Sequence, residues 1–115
     1  ISPLVNGVIT WINGEGHKYY ANDHHTIYRA TKRSLLKLGV PINKDEPSDD
    51  RYYIKAGNND RFKINVVPHE ENISRLSIRV NFMGDKDYAE LIYQEVDKQL
   101  GIIEFDRNGN PVRRN

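Results

Sequence analysis

At 115 residues and without cysteine, the chain has the length of one small domain and holds neither a disulfide nor a thiolate metal site. Seventeen basic residues nearly cancel sixteen acidic ones, so net charge gives no argument for a nucleic-acid partner. No apolar run approaches the ~18 residues needed to cross a bilayer, and 37% hydrophobic against 29% charged residues suits a thin core under a well-hydrated surface.

In chain order, residues 1–6 are expected to lead into the first strand. Val8, Ile9, Thr10, Trp11, Ile12, Tyr19 and Tyr20 favour extended structure. Gly14-Glu15-Gly16 interrupts this stretch, either as a bulge in one long strand or as a hairpin tip, and the bulge is the preferred reading. Asn22 and Asp23 can cap a helix whose apolar stripe is Ile27, Thr31, Ser34, Leu35 and Leu38, ending at Gly39 with Pro41 beyond. Residues 43–50 hold Pro47, Ser48 and four acids and read as an exposed loop, with room for a short strand near Ile42. Strands are expected from Tyr52 to Ala56 and through Phe62, Ile64 and Val66, with a turn at residues 57–60.

The most regular stretch follows. Leu76, Ile78, Val80 and Phe82 alternate with Ser77, Arg79 and Asn81, as in a strand with one buried face. Gly84 permits a corner and Asp85 is a candidate N-cap for a second helix. Tyr88, Leu91, Ile92 and Val96 recur at helical spacing, and Gly101 is a natural stop. Residues 102–105 can add a short strand, and residues 112–115 are expected to be frayed.

Strands joined by short turns are antiparallel. The expected fold class is therefore α+β: a two-layer sandwich of one twisted antiparallel sheet of four to five strands, with two helices on one face. Residues 1–105 form one domain and residues 106–115 a flexible C-terminal tail. Leu35, Leu38, Leu76, Ile78, Val80, Leu91 and Ile92 are expected to share the core. The other sheet face then carries Tyr53, Lys55, Lys63, Asn65, Ser77 and Arg79.

The run Leu76-Ser77-Ile78-Arg79-Val80-Asn81-Phe82-Met83-Gly84-Asp85, followed by a helix, resembles an uncharacterised family of small bacterial envelope lipoproteins. Members of that family end in Ile-Arg-Val-Gly, two residues, Gly-Asp and a helix; Asn81 stands here where they carry glycine. The first half is similar too: an aromatic strand with glycine (Trp11 to Gly14), then a tyrosine and a helix with Ala30-Thr31, Leu35 and Leu38-Gly39. The resemblance covers roughly residues 10–100. It implies export, a lipidated cysteine upstream of Ile1, and attachment on the periplasmic side of a bacterial membrane, with the outer membrane the expected anchor. It implies no catalytic residue. A start at Ile1 and not at methionine suits a processed or truncated product.

Residues with chemical potential have ordinary readings beside the functional ones. His24 and His25 are adjacent and diverge by about 100° on a helix. Tyr28 stands where a second ligand would be needed, and with His17 and His69 in a strand and a loop no metal site is expected. The acids at 45–50 lack the order of a calcium loop. Gly14-x-Gly16 precedes no helix, so it is no phosphate loop. Ser34, Ser74 and Ser77 have no histidine–acid pair at local spacing, so no catalytic residue and no cofactor is assigned.

Three surfaces carry functional readings. Arg29, Lys32, Arg33 and Lys37 form a basic face of the first helix. That is ordinarily a solvated face, but it suits anionic headgroups or an acidic partner. Arg79, Lys63 and Tyr53 are the expected centre of a partner surface, since arginine and tyrosine commonly anchor interfaces. Tyr28, Leu35, Tyr88 and Ile92 are the candidate lining of a cavity between helices and sheet; seven tyrosines against three phenylalanines suit rings at a core edge. The leading expectation is a non-enzymatic cell-envelope module acting through contacts with an envelope protein near a membrane. The alternative is a binder of a small apolar ligand or lipid. An enzyme is the least supported reading.

Overall fold

The computed structural model describes residues 5–103 and 105–112. The expected lead-in at residues 1–4, Glu104 within the 102–105 strand, and the frayed end at 113–115 lie outside these. Six strands and two helices follow the order β1 (Thr10–Ile12), β2 (Glu15–Tyr20), α1 (His24–Lys37), β3 (Ile42–Pro47), β4 (Tyr52–Ala56), β5 (Phe62–Glu70), β6 (Ile73–Val80) and α2 (Lys86–Gln99). The strands form one antiparallel sheet in the order β1-β2-β6-β5-β4-β3. Helix α1 carries the chain from β2 to the far edge, and the meander β3 to β6 returns it to pair with β2.

The sheet exceeds the expected four to five strands for two local reasons. The bulge reading is corrected: β1 and β2 are a hairpin pairing Ile12 with Glu15 across Asn13-Gly14. Both turn residues have positive φ, 49° and 79°. That geometry matches the right-handed twist of the strands and favours Asn-Gly. The loop reading of 43–50 is also corrected, because residues 42–47 form edge strand β3, of which only Asp45 is partly buried. A strand without an apolar face has no alternation to read. Lysine, acids and Pro47 instead keep this edge from pairing with another chain.

Helix α1 starts where the sequence indicates. Asp23 Oδ1 accepts from the Thr26 N–H at 2.8 Å, which lowers the Asp23 carboxyl below its ordinary 3.8. It stops at Gly39, with φ of 71°. The Val40 and Gly39 N–H groups there close on the carbonyls of Leu35 and Leu36, satisfying ends the helix leaves open. Thr31 and Ser34 lie in the buried stripe because each hydroxyl donates to the carbonyl one turn back, at 2.8 and 2.7 Å.

Helix α2 is rotated from its expected setting. Its buried apolar stripe is Ala89, Ile92, Tyr93 and Val96, an i, i+3, i+4, i+7 pattern. Leu91 falls one residue round the helix and is 48% exposed, so its placement in the core is corrected. The Asp85 cap is corrected as well: its side chain makes no capping bond and instead pairs with Arg61. Arg61 lies over the rings of Phe62 and Tyr88. One continuous core joins the sheet residues Tyr20, Ile54, Ile64, Val66, Leu76 and Ile78 to Ile27, Leu35, Ile92 and Val96 of the helices. The Tyr93 hydroxyl fastens α2 to the sheet by donating to the Leu76 carbonyl at 2.9 Å. Burial holds this phenol well above its ordinary range. Beyond α2, Phe105 bridges Pro111, and Asp106 Oδ1 accepts from the N–H groups of Asn108 and Asn110.

Candidate interaction surface

Alternation along each strand sends one set of side chains to the helices and the other to the opposite face, which no helix among the described residues covers. Strand pairing arranges that open face in rows. The first row runs Lys44, Lys55, Lys63, Arg79, Glu15, and the second Glu46, Tyr53, Asn65, Ser77, His17. A third row holds Val67, Arg75 and Tyr19. The structure therefore brings Arg79, Lys63 and Tyr53 onto one surface: Lys63 is directly opposite Arg79, and Tyr53 is opposite Asn65, two residues along β5 from Lys63.

The centre of this face is under-satisfied. Asn65 Oδ1, Ser77 Oγ and Arg75 Nε are shielded from solvent and have no hydrogen-bond partner. Among the described residues, no other buried side-chain nitrogen or oxygen lacks one. Such a group costs about 1–3 kcal/mol. At the periphery, Glu15 takes both His17 Nε2 at 2.7 Å and Arg79 Nη2 at 3.2 Å, and the Arg79 Nη1 donates to the Asn13 carbonyl at 3.1 Å. Lys44 Nζ is 2.7 Å from Glu46.

The basic face of α1 is largely engaged within the fold. Lys32 Nζ lies 2.8 Å from Asp45 Oδ2, and the Tyr28 hydroxyl donates to the same carboxylate at 2.7 Å. The bond to Asp45 raises the Lys32 ammonium above its ordinary value. Arg33 Nε donates to Gln99 of α2 at 3.2 Å, Lys37 lies 4.0 Å from the buried Glu95, and Arg29 Nη2 donates to Thr26 Oγ1 at 3.5 Å.

The four residues expected to line a cavity occupy different surroundings. Leu35 and Ile92 are fully buried in the core. Tyr28 stacks on Tyr52 with ring centroids 3.7 Å apart. Tyr88 packs on Phe62 and borders a small pocket of about 140 Å³ beside Arg61. Ser34, expected beside a space between the helices, is itself fully buried. A larger groove of about 480 Å³ lies elsewhere, between α2, β2 and the segments flanking the sheet. Val8, Ile103 and Phe105 form its exposed apolar rim. Lys18 and Asp97 line it as a buried pair 2.6 Å apart, with the Tyr20 hydroxyl donating to Asp97 at 2.8 Å.

Arg75 and Lys44 escaped the sequence reading of the surface. Arg75 keeps the period of Ser77 and Arg79 and was legible there; Lys44 needed β3. Lys18 shares the parity of Tyr20, which marks it as inward-facing. His24 and His25 lie together, ring centroids 4.1 Å apart, with His25 Nδ1 against the Tyr52 hydroxyl. No group of three or more histidine, aspartate or glutamate side chains is placed to hold a metal among the described residues. No described helix is long and apolar enough to cross a membrane.

The fold is α+β, with one antiparallel sheet of six strands and two helices. The chain belongs to a family of proteins of unknown function, DUF3568, whose model matches residues 4–99. No curated protein matches the chain.

Proposed function

We propose that this domain is a non-enzymatic module of the bacterial cell envelope that works by presenting its open sheet face to a protein partner. The observation in its favour is the row of cations Lys55, Lys63 and Arg79 on this face, with Tyr53 in the next row; Lys55 and Lys63 have no ion-pair partner among the described residues. The setting rests on the sequence resemblance: the periplasmic side of a membrane, with a tether through a lipidated cysteine upstream and the outer membrane as anchor. Neither a cofactor nor nucleic acid enters this reading. The test is capture from envelope extract with the tethered protein as bait. Arg79→Glu should lose the partner while its melting temperature stays near that of the parent. Retention of the partner by Arg79→Glu would defeat the proposal.

The groove beside α2 favours a second reading, a small apolar ligand or lipid held between the apolar rim and the Lys18–Asp97 pair. Native mass spectrometry separates the two. A co-purified lipid that is lost on Ile103→Asp and kept on Arg79→Glu supports the ligand reading over the surface one.

A further inference from the structure

The open face carries its positive charge in a line. Lys44 stands opposite Lys55, Lys55 opposite Lys63, and Lys63 opposite Arg79. Like charges directly opposite one another work against a sheet, so these successive pairs are a cost that the fold does not need. The line is bounded by acids, with Glu46 on Lys44 and Glu15 on Arg79. Between those ends, Lys55 and Lys63 have no hydrogen-bond or ion-pair partner among the described residues. The unpaired Asn65 Oδ1 and Ser77 Oγ lie in the next row, directly opposite each other, and Arg75 is two residues before Ser77.

We infer that this strip receives an extended acidic protein segment whose carboxylates pair with Lys55 and Lys63. The inference rests on the open face being a protein-contact surface and specifies the chemistry of the partner. Charge complementarity names the sign. Shape names the class of partner. Four residues across three strand spacings of about 4.8 Å make a strip of roughly 14 Å, which four or five extended residues span at about 3.3 Å each. A bilayer would instead press its anionic surface on Glu15 and Glu46 as well as on the lysines. The segment's carboxylates can accept from Arg79, whose guanidinium favours planar two-point recognition.

The experiment uses a fluorescent, end-capped peptide of alternating glutamate and serine, with a glutamine–serine peptide of equal length as control. Anisotropy is followed at about 0.05 M and about 0.5 M salt, where screening lengths differ severalfold. The glutamate peptide should bind at low salt and weaken by about tenfold or more at high salt, while the glutamine peptide should not bind. Lys55→Gln/Lys63→Gln should weaken binding by about tenfold, and Arg29→Gln/Lys37→Gln by less than about twofold, since only the former pair lies on the strip. Equal binding of both peptides, or unchanged affinity in the Lys55/Lys63 variant, overturns the inference. So does Lys55- and Lys63-dependent binding to phosphatidylserine vesicles with none to the peptide. A photo-crosslinking residue at Tyr53 separates this inference from the reading beneath it. Adducts with an envelope protein that survive excess glutamate peptide overturn the acidic segment and leave the surface reading standing. Adducts obtained from Leu36 on α1 and none from Tyr53 overturn both.

Discussion

Asp97→Asn removes the charge that balances Lys18 while keeping the shape of the side chain. Lys18 Nζ lies 2.6 Å from Asp97 Oδ2, with side-chain exposures of 8% and 4%. Deleting one member of a buried pair leaves an uncompensated charge and costs about 3–5 kcal/mol. Lys18 borders the groove, so water can reach one side of it, and the lower end, about 3 kcal/mol, is expected. That is a large share of the ~6–17 kcal/mol expected for a domain of this size. Lys18→Met should cost a similar amount. The double variant Lys18→Met/Asp97→Asn removes both charges, keeps an amide oxygen for the Tyr20 hydroxyl, and leaves chiefly the new amide N–H without a partner, a cost of about 1 kcal/mol. Urea unfolding of the four proteins, with a common slope, completes the cycle. A coupling of about 2 kcal/mol or more is expected. Additive costs, or an Asp97→Asn loss below about 1 kcal/mol, would refute the view that this pair locks α2 to β2.

Three further outcomes follow from the packing and the caps. Ile92→Ala should cost about 2–5 kcal/mol and its neighbour Leu91→Ala less than about 1 kcal/mol in the same assay, because only Ile92 leaves a cavity; the reverse order would mean that α2 turns Leu91 to the core. Asp85→Asn and Asp85→Ala should both cost about 1 kcal/mol, since each breaks the pair with a half-exposed Arg61, whereas a silent Asp85→Asn would restore the capping role. Asp23→Ala should cost about 0.5–2 kcal/mol at neutral pH. The Asp23 carboxyl sits below its ordinary 3.8 when folded. Its contribution is therefore complete above that value and is lost as pH falls through the lowered one, so a penalty persisting undiminished in strong acid would count against the cap.

Much of the fold was legible because its signals are local. Alternation marked β4, β5 and β6, and Asp23 and Gly39 marked the ends of α1. The departures have physical causes. Asn13-Gly14 is the turn of β1 and β2, but a bulge and a hairpin tip both leave Tyr19 extended, and a sheet with one long first strand favours the bulge. Strand β3 shows almost no buried residue, and hydrophobic period cannot find an edge strand that hides nothing. Leu91 and Ile92 are adjacent apolar residues, and only the sheet beneath decides which faces inward. The same division applies to the surface. Period two placed Arg79, Lys63 and Tyr53 on one face. The line from Lys44 to Arg79 exists only through pairing between strands, and no spacing along the chain reveals it. Lys18 and Asp97 are separated by 79 positions, so their pairing was equally out of reach. Lys32 and Lys37 looked free on α1 because Asp45 and Glu95 lie on other elements.

The most direct test of the surface account sets stability against binding at Lys63. Lys63→Glu turns two like-charge pairs, with Lys55 and Arg79, into opposite-charge pairs. At about 0.2–1 kcal/mol for each pair, the variant should be more stable than the parent by roughly 0.4–2 kcal/mol in urea unfolding. The same variant should fail to retain the envelope partner. A gain in stability together with loss of the partner is the result this account expects. Undiminished capture by Lys63→Glu would contradict it.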